Sequence, residues 1–212
     1  MRLFIAIAGN MGVGKSTLTE RLARTLGATP FLEPSVENPY LADFYTDMER
    51  WAFHSQMYFL GRRLKDHAAV IASEGVLIQD RSLYENAEIF ARHLYERGAI
   101  SERDWATYQE IYQTTVRLLR PPDLVIYLQA SVPALVQRIQ ERGRTFEQKI
   151  DEVYLHGLNR LYEQWSSEFQ QAPVLTIPTE EVHYLHNPKE YERVLDLMKE
   201  RLGGLPMPLV TA

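Results

Sequence analysis

The eight residues Gly9-Asn10-Met11-Gly12-Val13-Gly14-Lys15-Ser16 constrain this chain more than any other stretch. They match G-x-x-x-x-G-K-[ST] in full, and the match lies between an apolar run and an amphipathic one. Leu3 to Ala8 is continuously apolar, as in a strand covered on both faces of a parallel sheet. From Thr17 the period changes: Leu18, Leu22, Ala23 and Leu26 share one helical face, and Gly27 stands where a helix ends in left-handed geometry. Strand, glycine-rich turn and helix in that order direct backbone N–H groups and a helix N-terminus at an anion. Gly9 to Ser16, with Thr17, is therefore predicted to cradle phosphate oxygens, Lys15 to reach β- and γ-phosphates and Ser16 to ligate Mg²⁺.

The same strand and helix alternation continues to the end of the chain. Strands are predicted at Thr29–Leu32, Val76–Gln79, Leu124–Leu128 and Val174–Ile177. Helices are predicted at Trp51–Ser73, Glu85–Arg97, Glu102–Leu119, Val132–Arg142, Ile150–Phe169 and Pro188–Leu202, with Ser101 and Asp104 forming a capping pair. The expected architecture is α/β, a five-stranded parallel sheet flanked by helices, of the P-loop NTPase kind. A length of 212 residues, 45% of them hydrophobic, suits one domain over residues 1–202, followed by a loose tail over 203–212. A net charge of −5 argues against a surface for nucleic-acid polymers. The absence of cysteine removes disulfides, thiolate metal sites and a cysteine nucleophile. With no run long enough for a membrane span and no signal peptide, the chain reads as a cytoplasmic protein without a membrane partner.

A phosphate loop leaves the acceptor undetermined, because many chemistries share it. The guanine-reading N-K-x-D is missing, which removes GTPases, and small-molecule kinases fit the length best. Phosphoryl transfer to a hydroxyl needs a base, cations around the transferring group and in-line positioning. Glu33 follows the second strand on the ligand edge of the sheet and suits the base, although its position fits an exposed loop carboxylate equally well. Asp80 ends a buried strand and is the natural acidic partner for Mg²⁺, and Arg81 beside it can stabilise transferring charge. Arg138, Arg142 and Arg144 cluster at a glycine-containing helix end, as in a lid over about residues 138–149 that closes on phosphates.

Together the glycine-rich loop, Glu33-Pro34, Trp51-Ala-Phe-His-Ser-Gln56, Asp80-Arg81-Ser82 and Arg138-x-x-x-Arg142-Gly-Arg144 resemble the deoxynucleoside kinase family over nearly the whole chain. The resemblance implies an ATP-dependent enzyme of nucleotide salvage, with Mg²⁺ as cofactor and a homodimer as its assembly. It implies Glu33 as the base for the 5′-hydroxyl, and Lys15 and Arg81 as catalytic cations. Gln56, Arg63 and position 86 then face the base, and Tyr45 and Glu147 grip the 3′-hydroxyl. Asn86 departs from the family's carboxylate, and an amide there both donates and accepts. The implied acceptor is a purine deoxynucleoside, deoxyadenosine or deoxyguanosine. Deoxycytidine or broad acceptance is the alternative; a nucleoside monophosphate kinase and a non-catalytic nucleotide-binding homologue fit less well.

Overall fold

The computed structural model describes residues 2–32, 37–144, 150–181, 184, 187–204 and 207, and of Ile71 the backbone alone. Glu33 and Glu147, and most of the tail and of the second half of the lid, lie outside the described residues. Five strands, β1 (Arg2–Gly9), β2 (Thr29–Phe31), β3 (Gly75–Asp80), β4 (Leu124–Gln129) and β5 (Val174–Pro178), form one parallel sheet in the order β2-β3-β1-β4-β5. β1 is central and buried on both faces, as its unbroken apolar run requires. Ile7 of β1 lies opposite Asp80 of β3 and Ile126 of β4. The chain leaves β1 toward one side of the sheet and later builds the other, so the loop after β1 opens at a topological switch point.

Side-chain alternation assigns each face its own layer. Leu3, Ile5 and Ile7 point with Ile78, Ile126 and Leu128 toward α1 (Lys15–Leu26) and the last helix, α9 (Pro188–Arg201). Ala6 and Ala8 point the opposite way, into a layer made by α2 (Leu41–Thr46), α3 (Met48–Ala72), α4 (Leu83–Glu85), α5 (Arg92–Glu96), α6 (Glu102–Val116) and α8 (Glu152–Glu168). The remaining helix, α7 (Val132–Arg142), runs from the end of β4 to the lid glycine. Among the described residues no helix is long and apolar enough to cross a membrane.

Most predicted elements stand within a few residues of their expected bounds, and the cap signals explain why. Gly27 adopts φ 58° and ends α1, and the Ser101 side chain accepts the Asp104 N–H at the start of α6. Two features differ from the sequence reading. α2 occupies a stretch read as loop; its buried Leu41 and Phe44 are one turn apart, a signal too short to stand out. The helix expected from Glu85 begins at Leu83, and between α4 and α5 it widens into a π-helical turn over Asn86–Ala91. Such turns cost backbone regularity and recur beside functional sites.

Candidate active site

The phosphate loop is shaped by positions that only glycine fills comfortably. Gly9 has φ 144°, and a Cβ there would lie 2.7 Å from the Leu128 carbonyl; Gly12 has φ 80°, and a Cβ would lie 2.8 Å from Ile139. The N-terminus of α1 carries no side-chain cap, so its first N–H groups are left to a ligand. Within the predicted octapeptide the roles divide. Met11, Gly12, Gly14, Lys15, Ser16 and Thr17 line a cleft of about 290 Å³, whereas Val13 belongs to the apolar core. The Asn10 side chain donates to the Leu155 carbonyl at 3.1 Å and to Asn159 Oδ1 at 2.6 Å, fastening the loop to α8. Lys15 Nζ donates to the Asn10 carbonyl at 2.9 Å.

Asp80 and Arg81 reach the same cleft from the end of β3, the strand beside β1. Ser16 Oγ donates to Asp80 Oδ2 at 2.5 Å, and the buried Asp80 Oδ1 has no hydrogen-bond partner among the described residues. This hydroxyl and carboxylate facing a phosphate cradle suit Mg²⁺, which takes one or two protein oxygens and completes its shell with phosphate and water. Arg81 is the only described non-glycine residue with positive φ, 66°. Its N–H is tied to the Ile7 carbonyl at 3.0 Å, and its guanidinium lies over the Phe90 ring, 4.0 Å from the centroid. The strained backbone turns this cation toward the cleft rather than along the strand direction.

Arg138, Arg142 and Arg144 also line the cleft, the last two flanking Gly143 at φ 69°. Arg138 donates to Thr179 Oγ1 at 2.8 Å and to the Thr179 carbonyl, which ties the base of the lid to the loop after β5. Gln56 and Tyr45 complete the predicted set on the far wall, Tyr45 OH donating to Met11 Sδ at 3.6 Å. Arg63 and Asn86 are not among the residues lining the cleft and are buried, 1% and 2% exposed. The buried Gln56 Oε1 and Asn86 Oδ1 both lack a hydrogen-bond partner among the described residues. Leu41, Phe44, Phe90 and Tyr154 also line the cleft and were not singled out from the sequence. Phe90 lies within the π-helical turn, and no sequence period marks such a turn.

A phosphate loop at the switch point of a parallel sheet, facing an acid, an arginine and an apolar, aromatic wall, is the arrangement of a small-molecule kinase. Comparison with known proteins agrees. The sequence matches the Deoxynucleoside kinase family over residues 5–202. It is 39% identical to the deoxyadenosine/deoxycytidine kinase of Bacillus subtilis over 91% of this chain and 89% of that protein. It is 35% identical to the deoxyguanosine kinase of the same organism, over 93% and 96%. The structure of deoxyadenosine kinase from M. mycoides with bound dATP superposes with a TM-score of 0.81 at 32% identity, covering 93% of this chain and all of that one. The chain belongs to the deoxynucleoside kinase family, and its activity is that of an ATP-dependent deoxynucleoside kinase.

Proposed function

We propose that this enzyme transfers the γ-phosphate of ATP to the 5′-hydroxyl of a purine deoxynucleoside, deoxyadenosine before deoxyguanosine, in nucleotide salvage. The observation that carries the reading is the buried Gln56 amide in the wall of an aromatic cleft, whose oxygen has no hydrogen-bond partner among the described residues; Asn86 Oδ1, outside the cleft lining, has none there either. An unsatisfied buried amide oxygen costs about 1–3 kcal/mol, which the exocyclic amine of a base would recover by donating to it. The relatives are named deoxyadenosine/deoxycytidine kinase and deoxyguanosine kinase, which supports an adenine or guanine acceptor with cytosine as the alternative. A buried Arg63 two turns along the same helix from Gln56 would favour a carbonyl-bearing base, which makes deoxyguanosine and deoxycytidine the competitors.

In this proposal Glu33 takes the proton of the 5′-hydroxyl as it attacks. Lys15, Arg81 and the lid arginines Arg138, Arg142 and Arg144 gather around the γ-phosphoryl oxygens, where charge is spread in transfer. Tyr45 and Glu147 hold the 3′-hydroxyl. Mg²⁺ arriving with the nucleotide would be held by Ser16 and Asp80 and would offset phosphate charge. A monophosphate acceptor fits poorly, because Arg62, a cation available for its phosphate, is engaged by Glu37 at 2.7 Å and Asp66 at 3.3 Å. The working unit is proposed to be a cytoplasmic homodimer, which size-exclusion chromatography with light scattering would detect as twice the chain mass.

The deciding experiment is labelled phosphate transfer from ATP to the four deoxynucleosides, their monophosphates and adenosine. Deoxyadenosine is expected to give the highest kcat/KM and the monophosphates none. A preference for deoxycytidine or thymidine would overturn the purine assignment. Glu33→Gln is expected to abolish turnover while retaining ATP binding; unchanged turnover would remove Glu33 from the base role.

A further inference from the structure

Glu85 is fully buried beside the phosphate loop, and the transfer chemistry above makes no use of it. Its two oxygens divide between two segments of the site. Oε1 accepts the N–H of Gly9 at 3.2 Å and the Tyr162 hydroxyl at 2.9 Å. Oε2 accepts the N–H of Ser82 at 2.8 Å and the Ser82 hydroxyl at 3.1 Å, while the Glu85 N–H returns to Ser82 Oγ in a capping box. Gly9 opens the phosphate loop, and Ser82 closes the Asp80-Arg81-Ser82 turn. One carboxylate therefore clips together the ends of two adjacent strands, β1 and β3, just where their loops diverge around the cleft.

We infer that Glu85 is a positioning residue whose two side-chain oxygens fix the spacing between the phosphate loop and the Asp80-Arg81-Ser82 turn, and so align the donor's phosphates with the acceptor's hydroxyl. The two backbone N–H groups require an acceptor on each oxygen. A glutamine presents one acceptor oxygen and turns its NH₂, which cannot accept, toward the other N–H donor. Two acceptor oxygens are needed to hold both loops. Arg81 needs this restraint, because its positive φ is kept only where surrounding contacts over-determine it. Tyr162 extends the clip to α8, the helix that follows the lid, and stacks on Tyr127 of β4 at 5.6 Å and 7°. Burial pushes the Glu85 carboxyl above the usual carboxylate range, and Arg81, the Ser82 N–H, Lys15 and Tyr162 oppose that shift.

Glu88 provides an internal control. It stands one turn further on, is hydrogen-bonded by Tyr112 OH and by Trp165 Nε1 at 2.5 Å, and touches neither loop. Steady-state kinetics and thermal melting are compared for wild type, E85Q and E88Q. The acceptor is whichever deoxynucleoside the wild type uses best. E85Q is expected to lower kcat about 100-fold at saturating substrates and to leave the deoxynucleoside KM within about threefold, the signature of misaligned reactants rather than lost binding. E88Q is expected to melt at least as early as E85Q with kcat within about twofold of wild type. A kcat for E85Q within about threefold of wild type, or losses in both variants proportional to their melting temperatures, would overturn the inference. Should E85Q not fold, Y162F removes one of the four donors, and kcat about fivefold lower at unchanged KM is expected; unchanged kcat overturns the inference. The inference rests on the kinase activity but not on base preference, so another preferred acceptor would leave this test intact.

Discussion

The two faces of the sheet are built for different purposes. Against α1 and α9 the contacts are mostly aliphatic, with Leu3, Ile5, Ile7, Ile78, Ile126 and Leu128 clustered with Leu18, Leu22 and Met198, and Tyr184 and Tyr191 the aromatic members. Against α3, α6 and α8 the strand side chains shrink to Ala6 and Ala8, and the space fills with Phe90, Tyr108, Tyr112, Tyr154, Tyr162 and Trp165. That second layer also buries Gln56, Arg63, Glu85, Asn86 and His93, groups that an aliphatic layer has no way to satisfy. Aromatic rings carrying polar tips let the second face hold hydrogen-bonded carboxylates and a ligand cleft at once. The first face is a platform for stability, and the second gives up some stability to hold a site.

Substitutions on the two faces should therefore separate activity from stability. The largest effect is expected from Lys15→Met, a loss on the order of 1,000-fold in kcat/KM with circular dichroism unchanged. A loss confined to the fold would place Lys15 in the platform instead. Ile5→Ala on the aliphatic face should cost about 2–5 kcal/mol in urea unfolding while kcat per folded molecule holds. A fall in kcat there would show that the platform reaches into the chemistry. Gln56→Leu should raise the deoxynucleoside KM about 10- to 100-fold at nearly constant kcat, and no change would remove the amide from the base site.

The smallest effect concerns His93, buried on the aromatic face with its ring against Gly157, where a Cβ would come within 2.1 Å. Burial, then Arg97, lowers its pKa to about 4 from the usual 6.5, with Glu96 opposing. The unfolded chain then binds more protons between those values, so stability is whole above pH 6.5 and declines as pH falls toward 4. Glu85 and Glu88, shifted upward by burial, act in the opposite sense in acid. His93→Phe should remove only its own share, flattening the difference between urea midpoints at pH 7 and pH 5; an unaltered difference would assign the acid sensitivity elsewhere.

Much of the site was legible because phosphate binding is written locally. Gly12, Gly14, Lys15 and Ser16 owe their proposed roles to backbone conformation and helix polarity within one short segment. Asp80 and Arg81 could be read from a buried strand ending on polar residues, and the structure brings both to the cleft. The wall of the cleft was less legible. Leu41 and Phe44 lie on a helix too short to show a period, and Phe90 lies within a π-helical turn. Arg63 and Asn86, expected to face the base, are buried and are not among the residues that line the cleft. A repeat of seven residues from Gln56 to Arg63 fixes a helix face but not the depth at which each side chain ends.

By itself the sequence determined the order of strands and helices, the phosphate loop and the ligand edge of the sheet, because these follow from periodicity, glycine conformation and the polarity of helix ends. Only the tertiary structure decided that Asp80 meets Ser16, that Arg81 turns onto Phe90, and that Glu85 joins Gly9 to Ser82. Each of these contacts depends on which strands lie side by side, and adjacency is set by the packing of whole layers rather than by any local preference.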